Sequence, residues 1–230
     1  MDVLELTPRL HLLRFGVGQA YLWRDGTDLR DLTLVDSGPP GSGPAIAGLV
    51  RELGTLRRLV LTHFHDDHAG AAAEIGSWPG VTVLAHRADA PIVRGDVPPP
   101  PPDLTEFERE LLARVAAGLT RAPAARVDVE PADGDELDIG DGARIVHVPG
   151  HTNGSIALHL PAERVLFTGD VLAEHEGRIL VGPFNLDREQ AAASARVLAA
   201  LDVDTVCFGH GEPLDGGAAD RLRSVEPMPA

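Results

Sequence analysis

Residues 63–68 read His-Phe-His-Asp-Asp-His and follow directly on the apolar run Leu59-Val60-Leu61. A short apolar run bounded by polar residues reads as a buried strand, so the chain must be able to deliver three imidazoles and a carboxylate at one strand end. Imidazole is the commonest protein ligand for zinc-like ions, and carboxylate is next in line. In an extended segment, residues two apart point the same way, so His63, His65 and Asp67 are expected to share a face. His68 breaks that alternation and aims elsewhere, which suits a second ion beside the first.

The surrounding pattern is that of an α/β layered fold. Short apolar runs at Leu10–Phe15, Ala20–Arg24 and Leu32–Val35 predict strands, punctuated by Gly16, Gly18 and Asp25-Gly26. Ser42 is expected to cap a helix through about Leu53. A strand at Arg58–Leu61, a helix near Ala69–Ile75, a strand at Val81–Ala85 and a helix after His86 come next. Asp96–Ala125 reads as an insertion: five consecutive prolines, Pro98–Pro102, favour polyproline II, and Asp103-Leu104-Thr105-Glu106 resembles a capping box opening a helix through about Leu119. It serves either as a stiff connector or as a rim over a site. Strands are expected at Glu136–Ile139, Ala143–Val148, Ser155–Leu160 and Arg164–Phe167. They precede a helix at Arg188–Leu201 with apolar spacing Ala192, Ala195, Leu198 and Ala199, a strand at Asp204–Phe208 and a helix near Ala218–Arg223. No sequence repeat is evident, yet both halves run from strands to helices, as a duplicated architecture would. The chain is expected to form a single domain over residues 1–230, with its insertion at about 96–125.

Bulk properties narrow the partners. Of 230 residues, 43% are hydrophobic, enough for a substantial core. The net charge of -15 argues against a nucleic-acid partner and against anionic lipid, both of which call for a basic surface. No apolar run approaches the roughly 18 residues of a membrane span. Cys207 is the single cysteine, which fits a reducing compartment. A cytoplasmic protein acting on a small-molecule substrate is expected; oligomeric state is not encoded in any pattern here.

Three later motifs repeat the logic of the first. His147-Val148-Pro149-Gly150-His151-Thr152, Phe167-Thr168-Gly169-Asp170 and Phe208-Gly209-His210-Gly211 each place a ligand type just after a strand, beside glycine. Strand ends are where open α/β sheets gather their sites. Together with Val35-Asp36-Ser37-Gly38, these motifs resemble the metallo-β-lactamase-fold hydrolase superfamily over nearly the whole chain. The glyoxalase II and lactonase branches are closer than the true β-lactamases, several of which have Cys or Ser where Asp170 stands. The resemblance implies a four-layer αββα sandwich with two divalent metal ions, zinc foremost, iron or manganese being possible. It implies that His63, His65 and His151 hold one ion, that Asp67, His68 and His210 hold the other, and that Asp170 bridges them. Asp36 would orient a ligand imidazole by accepting its other N–H.

A bridging hydroxide attacking an ester, thioester or lactone carbonyl is the chemistry such a pair of ions supports, with Asp67 orienting it or passing its proton on. His175, in Glu174-His175-Glu176, is the substrate-side candidate. His11, His86 and His159 read as surface or satisfied polar residues, His147 as structural or as a support behind a ligand, and Cys207 as a small buried hydrophobe. Two other readings use the same residues. A persulfide dioxygenase-like enzyme would bind one iron through His63, His151 and Asp170. A phosphodiesterase or nuclease would use both ions.

Overall fold

A computed structural model of the chain describes residues 1–115 and 117–227. The contacts divide it into two compact units: Met1–Pro98 with Leu119–Pro131, and Pro99–Gly118 with the chain from Ala132 onward.

The first unit is built on a six-stranded sheet: β1 (Asp2–Thr7), β2 (Leu10–Arg14), β3 (Gln19–Asp25), β4 (Asp31–Val35), β5 (Thr55–Val60) and β6 (Thr82–Leu84), paired in that order. The β1–β4 meander is antiparallel, whereas β4, β5 and β6 are parallel. Parallel neighbours need crossovers, and these contain α1 (Gly43–Leu53) and α2 (Ala72–Gly76). A short α3 (Ala90–Val93) follows β6. Helix α1 buries Gly43, Ile46 and Val50 on one face. It begins where expected, but not by the expected means. The Ser42 side chain makes no capping bond; Pro44 in the first turn and the Ser42 carbonyl, which accepts from Ile46 N at 3.1 Å, start the helix instead. Helix α2 is shorter than Ala69–Ile75 would give, because residues 69–71 lie in a bend and turn rather than in the helix. Leu22, Leu34, Leu59, Ile75 and Val83 form the centre of this unit's core. The returning segment lays Val129 beside Leu84, and Asp128 Oδ2 accepts from Val83 N at 2.8 Å.

The second unit opens with α4 (Glu106–Val115). The capping box sits two residues beyond the expected frame. Thr105 N donates to Glu108 Oε2 at 2.8 Å, and Glu108 N to Thr105 Oγ1 at 3.2 Å. The expected run to Leu119 is not reached, since Ala117-Gly118 form a turn with Gly118 at φ 95°. Strands β7 (Glu136–Leu137), β8 (Ala143–His147), β9 (Ile156–Leu160) and β10 (Val165–Gly169) come next. The hairpin β11 (Leu172–His175)–β12 (Arg178–Val181), α5 (Arg188–Ala199), β13 (Thr205–Phe208), β14 (Leu214–Asp215) and α6 (Ala218–Leu222) complete the unit. The main sheet runs β14-β13-β10-β9-β8-β7, with β10 and β13 parallel. Asp187 caps α5 by accepting from Gln190 N. Its buried stripe is Ala191, Ser194, Ala195 and Leu198, which keeps the expected Ala195 and Leu198 and leaves Ala192 and Ala199 only partly buried. Leu166, Leu172, Leu198, Val206 and Phe208 fill the core.

Strand β1 and the β11–β12 hairpin carry no clear strand signal in the sequence. β1 is an edge strand with four exposed residues, and the hairpin's polar Glu174-His175-Glu176 masks its alternation. Among the described residues, no helix is long and apolar enough to cross a membrane.

Candidate metal centre

In the first unit, the carboxyl ends of the parallel pair β4 and β5 place Asp36 and His63. Asp36 N continues the ladder by donating to Val60 O at 2.9 Å. Asp36 itself sits at φ 59°, a left-handed conformation that Asp tolerates better than most residues. The reason for that turn is visible in its bonds. Oδ1 accepts from Thr62 N at 2.7 Å; Oδ2 accepts from Thr62 Oγ1 at 2.8 Å and from His68 Nδ1 at 2.9 Å. A carboxylate can only accept, so His68 carries its proton on Nδ1 and presents Nε2 as a lone pair. With the Thr62 hydroxyl donating to Asp36, the 3.0 Å contact from His63 Nδ1 to Thr62 Oγ1 must be donated by the imidazole. One carboxylate therefore fixes two tautomers, directly for His68 and through Thr62 for His63.

The loop that bears these imidazoles is not extended as expected. Alternation holds from His63 to His65, where Phe64 is buried in the core cluster between them. The chain then turns, with His68 N and Ala69 N both donating to His65 O, at 3.0 and 2.8 Å. Asp67 is thus positioned by a turn rather than by a pleat. His63 Nε2 and His65 Nδ1 converge to 3.0 Å. Two nitrogens bound to one tetrahedral zinc at 2.0–2.1 Å stand about 3.3 Å apart, so this pair fits one ion. His68 Nε2 lies 3.6 Å from Asp67 Oδ2, a second convergent pair. Ser37 holds the main chain beneath, its N and Oγ both donating to His68 O, at 2.7 and 2.8 Å, while Oγ accepts from Ala71 N. Asp66 is structural: its Oδ1 accepts from Ala122 N at 2.7 Å.

The second unit repeats the device at the carboxyl ends of its own parallel pair. Asp170 follows β10 and His210 follows β13, and Gly209 N donates to Gly169 O at 3.0 Å to tie the two strand ends together. His151, fully buried, follows β8 in a turn held by Thr152 N donating to Ser155 Oγ at 2.9 Å. Asp170 Oδ2 lies 3.2 Å from His210 Nε2 and 3.8 Å from His151 Nε2. One carboxylate oxygen thus faces two imidazoles.

The family model of the metallo-β-lactamase superfamily matches residues 13–210. The chain belongs to the metallo-β-lactamase superfamily. It is 30% identical to a "Probable metallo-hydrolase" of Bacillus subtilis (strain 168), covering 92% of this chain and 87% of that one. It is 33% identical to a hydroxyacylglutathione hydrolase of Fuscovulum blasticum, covering 90% of this chain and 67% of that one. Among solved structures, a metallo-β-lactamase family protein from Thermus thermophilus superposes with a TM-score of 0.67 at 22% identity, covering 95% of this chain and 78% of that one. This last likeness bears on the fold alone, which is the metallo-β-lactamase fold.

Within this superfamily member, the remaining histidines separate clearly. His147 Nε2 pairs with Asn153 O at 2.9 Å, and His86 Nδ1 accepts from Ala88 N at 3.3 Å. His11 and His159 are pushed toward the neutral form by burial. Burial likewise pushes the Cys207 thiol up, well above its ordinary value, as a small core hydrophobe requires. His175 stands exposed at the tip of β11 opposite Arg178. The hairpin residue that reaches the ligand loop is its neighbour, Glu174. Its N donates to His210 O at 3.1 Å, and its carboxylate accepts from Glu212 N at 2.7 Å and from Gly177 N. Thr62, Ser37 and Glu174 are not legible as site residues in the sequence because their partners lie far away in the chain; only the adjacency of Thr62 to His63 is visible there.

Proposed function

We propose that this chain is a dinuclear metal-dependent hydrolase that cleaves a small-molecule ester, thioester or lactone in the cytoplasm, its two units working as one domain. The observation that carries the reading is the pairing of donors. His63 and His65 converge with the His63 proton turned away toward Thr62, and Asp170 faces both His151 and His210 with one oxygen. His63, His65 and His151 are assigned to the first ion, Asp67, His68 and His210 to the second, and Asp170 to both. Zinc is the ion we assign; iron and manganese suit the same imidazole and carboxylate donors.

When bound, two divalent ions supply a water acidified toward about pH 7 and a Lewis acid for the carbonyl oxygen. The protein supplies the rest. Asp36 and Thr62 hold the tautomers of His63 and His68, so on those two rings the nitrogen turned toward the ion carries no proton. Asp67, at 9% exposure beside the fully buried His68, takes a proton from the nucleophile and hands it to the leaving group. His175, solvent-exposed, is assigned to the substrate side. The hydrolase names of the two curated relatives support the reaction class, and the net charge of -15 disfavours a phosphodiester backbone.

Elemental analysis followed by a substrate panel tests this. Two equivalents of metal per chain are expected, with hydrolysis of an ester, lactone or thioester that chelation abolishes and zinc restores. One iron per chain with thiol-dependent oxygen uptake would replace the hydrolase with a dioxygenase. A chromogenic phosphodiester cut faster than any ester would replace it with a phosphodiesterase. Asp170→Ala should lose metal and rate together; full retention of both sinks the bridging assignment.

A further inference from the structure

Glu108 takes no part in the proposed chemistry, yet its side chain is fully buried on α4 between exposed Phe107 and Arg109. A buried charge persists only when it is paired and hydrogen-bonded. Glu108 meets that condition with four donors. Oε2 accepts from Thr105 N at 2.8 Å and from Arg188 Nη2; Oε1 accepts from Phe184 N at 3.1 Å and from Arg188 Nη1 at 3.1 Å. Burial pushes its carboxyl up, but Arg188 and the two backbone N–H groups outweigh burial and hold it below the usual carboxylate range.

Two of those donor residues, Phe184 in the segment that joins β12 to α5 and Arg188 at the first position of α5, lie together in the chain. Phe184 stands at φ 63°, a conformation that a bulky side chain adopts only when its surroundings impose it. Asn185 O accepts from Asp103 N at 3.0 Å, so the start of the α4 segment grips the loop at a second point. The other side of the same loop touches the main chain of two assigned ligands. Leu186 N donates to His151 O at 3.2 Å and Asp187 N to Gly150 O at 2.9 Å. Gly182 N donates to Val171 O at 3.1 Å, and a Cβ on Gly182 would stand 1.9 Å from Asp170 O. Only glycine fits that approach.

We propose that Glu108 is a positioning residue for the metal centre: with Arg188 it locks the Gly182–Asp187 loop, and that loop fixes the main chain of His151 and Asp170. The proposal rests on the metal-centre reading above. It gives the α4 segment a task besides connecting the two units, since its one fully buried charge serves the ligand loop.

The test compares Glu108→Ala with Thr105→Ala, which removes the α4 cap without touching the Gly182–Arg188 loop. Zinc is titrated into each metal-free full-length protein in competition with a chromophoric chelator, and amide exchange is followed at Leu186 and Asp187. Glu108→Ala should bind zinc at least about tenfold more weakly, the range seen when the support of a metal ligand is lost, and should exchange both amides faster. Thr105→Ala should lower the melting temperature while keeping wild-type zinc affinity and exchange. A folded Glu108→Ala protein with wild-type affinity and exchange overturns the proposal, as does a Thr105→Ala protein weakened to the same extent. Should the alanine variant not fold, Glu108→Gln carries the same comparison, keeping the size and removing the charge pair. Wild-type protein that takes up no zinc refutes the metal centre itself, and the proposal with it. Wild-type uptake with unchanged uptake in the variants refutes only the role of Glu108.

Discussion

Replacing Asp36 with Asn changes one atom that two ligand imidazoles depend on. Asn tolerates the left-handed backbone at φ 59°, and its Oδ1 still accepts from Thr62 N. The amide nitrogen then occupies the place of Oδ2, where Thr62 Oγ1 and His68 Nδ1 both donate. The hydroxyl can rotate and accept instead. The His68 ring can adapt only by moving its proton to Nε2, which lets Nδ1 accept but removes the lone pair assigned to the metal. A hydrogen bond to a charged group contributes roughly 1.5–3 kcal/mol, and a neutral replacement returns about 1. The net cost to the metal-free protein is therefore about 0.5–2 kcal/mol, a fall in Tm of roughly 1–8 °C for a chain of this size. The cost to metal binding is larger, about 10–100-fold at the ion assigned to His68. Asp36→Ala strands all three donors and adds left-handed strain of about 1–2 kcal/mol, which Asp36→Gly does not incur. Thermal melts of the metal-free proteins and chelator competition on the reloaded ones measure both effects. An Asp36→Asn protein with wild-type affinity at both ions would refute the tautomer argument. Equal stability of the Ala and Gly variants would refute the strain argument.

Two further outcomes rest on packing and burial. Gly182→Ala must push a Cβ against Asp170 O, whereas a methyl group on Gly48, inside α1, would meet nothing within 4 Å; the first should destabilise by about 1–3 kcal/mol or more and weaken metal uptake, and Gly48→Ala should stabilise by about 0.5–1 kcal/mol, with thermal melts showing opposite signs. His159 is held below its ordinary pKa by burial first and by Arg144 on the neighbouring strand second. Its unfolded form therefore binds more protons below about pH 6.5, and stability is lost as pH falls from there toward the folded pKa. His159→Gln should flatten the stability profile of metal-free protein below about pH 6.5; identical slopes for both proteins would contradict the burial argument.

Sequence alone determined the strand-end motifs, and with them the family. Local rules suffice there: an apolar run makes a buried strand, and the residues after it emerge at the sheet edge, as Asp36, His63, Asp170 and His210 do. The same rules failed where a partner lies far away in the chain. The extended reading of residues 63–68 gave way to a turn, because Asp36 and Ser37, about 30 residues earlier, draw His68 inward through its ring and its carbonyl. Ser42 lost its capping role to the Pro44 turn, and the α4 box shifted frame because Glu108, rather than Glu106, finds Arg188 80 residues on. Ligand types are a property of sequence, since a side chain carries its chemistry wherever it sits. Tautomer, orientation and support belong to the tertiary structure, since a proton's position on an imidazole is set by whichever acceptor folding brings to its other nitrogen.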